Sequence, residues 1–504
     1  MKISWGVLLK VGLLVTAPVL TLTSIGLTVS WPSDNASVNP PNTLSRRGET
    51  SVTRLLVVGG SDAGVSACLR ARELDPSVEV SMLVADDFPN YSICGLPMFL
   101  GGEVVDWHHL AHRSRDEILS TGIALHTNTR VTDVFVGACA VRAEGPAGPV
   151  EFSYDRLILA TGAEPVRPPL PGIDEEGVFL LHSIGDGLRL NTFLTSHAVR
   201  QAVIVGAGYI GCEMADALTR RGIAVTLMEQ ASAVLPTVDP ALGAILAERM
   251  AHHGVEVLPG VRVASIEATD EGLQVHTDSG LTRPSQMVLV AVGVRPATDL
   301  ARGMGLDLGL RGAIPVSRTL ETAIPNVWAA GDCTETWHRL LGRPTYLPLG
   351  TTAHKQGRIA GENALGGDRL YEGTLGTQAV KVFDTVVGRT GLSDLEAREA
   401  GWEAMTAQVT TWDHKAYYPG AQPLQIRLVG DSASGRLLGA QVLGGYPGEI
   451  AKRLDVLAAA IHQGMSVQAV SDLDLSYTPP LSSPWDPIQM AAQVWESRNA
   501  RSQS

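Results

Sequence analysis

The stretch VIVGAGYIG, Val203–Gly211, constrains the fold of this chain more than any other segment. A short aliphatic run ends in three glycines, Gly206, Gly208 and Gly211, spaced GxGxxG, and helical sequence follows. The first glycine turns a strand into a helix. The second lets a pyrophosphate approach the backbone, and the third lets helix and strand pack closely. The helix N-terminus adds amide donors and the positive end of its dipole. Glu229 closes the next strand, 18 residues after Gly211. A carboxylate there accepts hydrogen bonds from ribose hydroxyls and repels a 2′-phosphate, so NADH is favoured over NADPH.

A second turn of the same kind lies upstream in LLVVGGSDAGVSA. Gly59 and Gly64 fit the outer positions, and Ser61 stands in the middle, where a small side chain still admits a phosphate. The acid at the end of the second strand is displaced to Asp86, the candidate ribose contact. Further runs, VEVSMLVADD, RLILATG, AVTLMEQ, MVLVAVG and VWAAGD, read as strands alternating with helices. That pattern predicts βαβ units with parallel sheets. Gly331 and Asp332 end the last run, where a carboxylate can face the ribityl chain of a flavin. Gly162 in ILATGAEP and Gly293 in LVAVGVRP mark similar strand-to-turn crossings, read as the flavin and the NAD side respectively. From about Gly376 the runs alternate instead, as antiparallel strands do, and predict a third domain of the α+β class.

The net charge of −13 repels nucleic acid, and no basic stripe overrides it. The cysteines, Cys68, Cys94, Cys139, Cys212 and Cys333, are odd in number and form no CxxC pair. They build neither a disulfide framework nor a zinc site, and point to a reducing, cytoplasmic compartment. HHLAH, with His108, His109 and His112, has a spacing a metal could use, but with no acidic or cysteine partner nearby a structural role is expected; no metal site is predicted. Residues 1–50 form an apolar leader and linker. Its uncharged part is an anchor through residues 5–31, a signal segment, or sequence upstream of the true start, and membrane contact is expected only in the first case.

The order of these elements resembles the flavin-dependent pyridine nucleotide–disulfide oxidoreductases, and most closely their single-cysteine branch. That branch holds coenzyme A-disulfide reductases, NADH oxidases and peroxidases, and persulfide reductases. The carrying motifs are CGLPMFLGG, LPLGTTAHKQGRIAGENALGG, GTQAVKVFDTVVGRTGLS and SYTPPLSSPWDPIQMAAQV. The resemblance implies an α/β architecture with two Rossmann-like domains and an α+β dimerisation domain. An FAD domain would span 54–165 and 298–373, an inserted NAD domain 166–297, and the dimerisation domain 374–496. Cys94 matches the redox cysteine, Gly331–Asp332 the flavin-binding pair, and Gly357 a helix packed under the flavin. Tyr477 and Tyr418 match tyrosines that reach the active site of the other subunit, which implies a homodimer.

The resemblance implies an NADH-dependent flavoprotein that reduces a small-molecule disulfide or persulfide through Cys94. The alternatives are an NADH oxidase or peroxidase, a polysulfide reductase, and a non-catalytic redox-sensing flavoprotein. Four readings follow for the sulfur and its site. CGLP suggests that Cys94 begins a helix whose dipole lowers its pKa. Asn90 and Ile93 depart from the SFANCG of coenzyme A-disulfide reductases at positions expected near the thiol substrate. Asp62 stands where peroxidases carry a histidine. Arg70, Arg72 and Arg113 are candidates to hold an anionic thiol.

Overall fold

A computed structural model describes residues 52–503; the leader, and with it the anchor expected through 5–31, lies outside the described residues. Two parallel five-stranded sheets carry the first two thirds of the fold. The first runs, edge to edge, Val327–Ala329, Arg156–Leu159, Arg54–Val58, Glu79–Leu83 and Ile123–His126. Its central strand is apolar after Arg54 because both faces are covered, as parallel sheets require, and Leu55, Leu56 and Val57 are almost fully buried. The second runs Glu256–Pro259, Ala224–Glu229, Gln201–Val205, Met287–Val290 and Val178–Phe179. The chain leaves the first sheet and returns to it through one antiparallel pair, Ala163–Pro165 with Val294–Pro296. The second sheet is therefore an insertion in the first.

The third layer is a five-stranded antiparallel sheet, Gln378–Val382, Thr385–Gly391, Leu437–Gly445, Pro423–Asp431 and Ala404–Trp412 in spatial order. The helices Ile450–His462 and Pro487–Gln503 pack on it. This layer is fastened to the inserted domain. Asp216 accepts a hydrogen bond from the Phe383 amide at 2.7 Å, and Arg389 donates to the Thr237 carbonyl at 2.7 Å. Phe383, Val387 and Leu443 complete the apolar core beside Met214 and Leu218. Among the described residues no helix is long and apolar enough to cross a membrane.

A candidate active site between two nucleotide turns

Each glycine turn follows the central strand of its sheet. Gly59 and Gly206 adopt φ of +119° and +102°, a region that favours glycine. A Cβ on Gly64 would lie 2.0 Å from the Gly59 carbonyl oxygen, and one on Gly211 1.9 Å from that of Gly206. These four glycines are demanded by the chain's own packing. Gly208 differs, because a Cβ there would meet no protein atom within 4 Å. The room it leaves faces a cleft of about 1540 Å³ that runs between the two turns.

That cleft brings together twelve of the residues singled out in the sequence: Ser61, Asp62, Ile93, Cys94, His112, Gly162, Gly206, Gly208, Glu229, Gly293, Gly331 and Asp332. Gly357 lies outside it. A Cβ there would sit 2.2 Å from the Ala63 carbonyl oxygen, so this glycine lets the helix Gly350–Ala364 cross the first-turn helix Asp62–Leu74. The same helix presents Gly350, Thr351 and Ala353 to the cleft. Asp86 is exposed and outside the lining, and its Oδ1 accepts from the Phe88 amide at 2.9 Å. Tyr418 and Tyr477 are also outside it, 42% and 45% exposed on the antiparallel layer. Their loops are joined by a backbone bond from Lys415 to Pro479.

The cleft suits the two cofactors on the geometry of the chain alone. Glu229 is buried, with Oε2 accepting from the Ala207 amide at 2.7 Å and Oε1 from Ala231 at 2.8 Å. Each carboxylate oxygen keeps a second lone pair for a hydroxyl donor. Among the described residues, Asp332 has no donor for its carboxylate. Burial, with the charge of Asp62, pushes it up to about 6. An orphaned acceptor of this kind fits a hydroxyl-rich ribityl chain. The Gly331 amide is held by Gln356 Oε1 at 2.8 Å, and Gln356 is fully buried.

Cys94 lies in the single 3₁₀ turn Ile93–Gly95, ahead of the five-residue helix Leu96–Leu100. The expectation that it begins a helix and is thereby acidified is corrected here. So short a helix has a weak dipole. Burial pushes the thiol above its ordinary value, and the charges of Glu213, Asp62 and Asp332 raise it further. Cys94 is nonetheless an exposed residue and lines the cleft.

Other expectations also change. Asn90 is buried outside the lining, with φ of +59°, a conformation asparagine tolerates. Its amide donates to Gly60 and its carbonyl accepts from His112, so it clamps the Cys94 loop to the first turn. Ile93 does line the cleft. Arg70 is engaged by Glu362 and Glu73, and Arg72 by the carbonyls of Thr121, Pro76 and Val78. Neither is free to bind a substrate beside Cys94. His108 has an acidic partner after all, Asp106 at 2.6 Å.

Sequence reasoning passed over Glu213. It stands on the helix Tyr209–Arg220 and lines the cleft. Burial, with the neighbouring charge of Asp216, pushes it up to about 7. The available signal was a carboxylate among Cys212, Met214 and Ala215, all on the face that packs inward.

Comparison with known proteins agrees with this architecture. The profile of the pyridine nucleotide-disulphide oxidoreductases matches residues 53–357, and that of their dimerisation domain matches 377–487. The chain is 33% identical over 448 residues to the NAD(P)H coenzyme A polysulfide/persulfide reductase of Pyrococcus horikoshii, covering 89% of this chain and 99% of that protein. It superposes on the reduced CoADR-RHD of Bacillus anthracis with a TM-score of 0.86 at 33% identity, covering 90% of this chain and 81% of the other. With the water-forming NADH oxidase of Lactobacillus brevis the TM-score is 0.85 at 26% identity, over 90% and 100% of the two chains. The two Rossmann-like sheets, the insertion that separates them and the antiparallel third layer are thus those of a known family, and this chain belongs to the pyridine nucleotide-disulphide oxidoreductases.

Proposed function

We propose that the protein is an FAD-dependent NADH oxidoreductase that reduces a small-molecule disulfide or persulfide through Cys94. One observation carries this reading: Cys94, the GD turn and both nucleotide turns open into a single cleft. The first turn with Ser61, Gly162, Gly331 and Asp332 would hold FAD, in a domain spanning 54–165 and 298–373. The inserted domain, 166–297, would hold NADH through Gly206, Gly208, Gly211, Glu229 and Gly293, and the carboxylate of Glu229 would disfavour NADPH. Bound flavin supplies two-electron transfer between a hydride donor and sulfur. Cys94 Sγ, as the thiolate, attacks one sulfur of the substrate. The sulfur–sulfur bond breaks, the departing thiolate takes up a proton, and a mixed disulfide remains on Cys94. Two electrons from NADH then break the mixed disulfide, which releases the bound half of the substrate as a second thiolate and returns Cys94 to its thiolate.

A homodimer with a shared site completes this reading. Tyr418 and Tyr477 are exposed on the layer that matches the family's dimerisation domain, and neither reaches its own chain's cleft. In the dimer they would enter the site of the second copy. The similarity to named sulfur reductases supports a sulfur acceptor, and the one to a water-forming oxidase supports oxygen as the second reading. Free cysteines throughout the described residues support a reducing, cytoplasmic setting. The test is turnover of NADH by the holoenzyme and by Cys94→Ser with coenzyme A disulfide, polysulfide, glutathione persulfide, peroxide and oxygen. Loss of sulfur turnover in the variant is expected; equal turnover in the two forms would sink the reading.

A further inference from the structure

Cys94 lies in the chain between two strands of the first sheet, Glu79–Leu83 and Ile123–His126, yet the helix that follows it is seated on the inserted domain. Leu96, Phe99 and Leu100 share one apolar cluster with Leu190, Met214 and Leu218. Two glycines make the seat close. A Cβ on Gly187, in the helix Ile184–Ser196, would lie 2.4 Å from Leu96 Cδ2, and one on Gly101 would lie 3.0 Å from the Ala217 Cα. Arg221 closes the seat. It caps the helix Tyr209–Arg220, and its Nη1 donates to the Leu100 carbonyl at 3.0 Å and to Asn191 Oδ1 at 2.9 Å. Leu100 ends the helix Leu96–Leu100, so its carbonyl is one that a helix C-terminus leaves without a donor of its own. The cysteine segment is thus held at both ends by different parts of the fold. Ahead of Cys94, the Asn90 amide ties it to Gly60 of the first turn. Beyond Cys94, Arg221 ties it to two helices of the insertion.

We propose that Arg221 is a positioning residue for Cys94: it pins the end of the cysteine's helix between two helices of the inserted domain and so fixes where the sulfur stands in the cleft. The proposal rests on the reading that Cys94 is the redox cysteine, and deepens it by naming the group that holds the sulfur in place. The helix that Arg221 caps starts at the second glycine turn, so one rigid element would carry the NADH site at its start and the sulfur's anchor at its end. The physical basis is alignment. Transfer between groups fixed by separate parts of a fold depends on their spacing, and a misplacement of about 1 Å can cost on the order of 100-fold in rate. Arg221 touches the far end of its helix from Gly208, so its loss should disturb the sulfur and spare the nucleotide turn.

The test separates the two halves of turnover in the holoenzyme. In Arg221→Met, kcat with coenzyme A disulfide and with polysulfide should fall roughly tenfold. The KM for NADH, and the rate at which NADH bleaches the flavin without oxygen, should stay within about twofold. Arg221→Lys, which keeps the charge and a donor, should recover part of the loss. Hydrogen exchange of the peptide that carries Cys94 should be faster in Arg221→Met than in the wild type. Arg142→Met, at an exposed strand position, should change none of these. An unchanged kcat in Arg221→Met overturns the proposal, as does an equal slowing of flavin reduction, which would mark general damage to the inserted domain. Should Arg221→Met fail to fold, Gly101→Ala carries the same measurement from the cysteine's side, since its methyl would push the segment off Ala217. Loss of the fold in both would show that the contact supports the domain and not the sulfur, and also overturns it. Failure of the parent reading shows separately, as sulfur turnover surviving in Cys94→Ser, while hydrogen exchange still reports whether Arg221 holds the segment.

Discussion

The two glycine turns agree at their ends and differ in the middle, and the difference separates two reasons for a glycine. At the outer positions a side chain would strike backbone: Gly59 against Ala160, Gly64 against Gly59, Gly206 against Ala291 and Gly211 against Gly206. The chain itself forbids anything larger there. The middle positions are extended, with φ/ψ of −95°/−162° at Ser61 and −75°/−166° at Gly208, conformations open to any residue. No backbone strain excludes serine from the first turn. What could exclude a side chain is a ligand, and Gly208 faces only open cleft.

The largest effects should come from the ends of the turns. Gly64→Ala and Gly211→Ala each force a carbonyl or a helix to move, and overpacking of this kind costs about 1–3 kcal/mol. Denaturant unfolding should show both losses. A variant as stable as the wild type would break the equivalence of the two turns. Next comes a pH effect confined to the second turn's helix. Glu213 is pushed up to about 7 by burial, above the usual carboxyl value of about 4.3, so the folded state binds more protons between these values. Its stabilising contribution is full below the unfolded value and is lost as pH rises through about 7. Glu213→Gln should therefore stabilise the cofactor-free protein by about 1–3 kcal/mol at pH 8 and leave it unchanged at pH 4, as measured by melting across that range.

The middle positions should behave oppositely to the ends. Gly208→Ala should keep its melting temperature and bind NADH roughly tenfold more weakly by fluorescence titration, since the added methyl occupies only ligand space. Ser61→Gly should alter FAD retention by less than about threefold. Equal losses at the two sites would show that the first turn is as tightly filled as the second. The smallest effect is expected at the strand-end acids' weaker member. Glu229→Gln removes a charged acceptor from two backbone amides, which costs about 1–3 kcal/mol, whereas Asp86→Asn should change flavin affinity no more than about twofold. A large loss of FAD in Asp86→Asn would reverse that order.

The architecture was legible because it rests on local pattern. Strand-length apolar runs ending in glycine announce parallel strands, and alternation beyond Gly376 announces the antiparallel layer. The residues lining the cleft were legible where turn chemistry marks them, as at Gly162, Gly293 and Gly331. Asn90 was misread for the same local reason. Next to Cys94 in sequence it looked like a substrate contact, but its left-handed backbone turns it into the clamp between Gly60 and His112. Arg70 and Arg72 were plausible cations until Glu362, Glu73 and three carbonyls claimed them from other segments.

The sequence by itself determined the two nucleotide turns, the order of the layers and the candidate cysteine Cys94, because spacing and motif are properties of neighbours along the chain. Only the tertiary structure decided the electrostatics at that cysteine. Asp62, Glu213 and Asp332 lie far apart in sequence and line one cleft because elements from distant parts of the chain converge on it. Burial and charge fall off with distance in space, and no local motif encodes them. A helix start predicted an acidic thiol; burial, with acidic side chains on the same cleft, instead pushes it above its ordinary value.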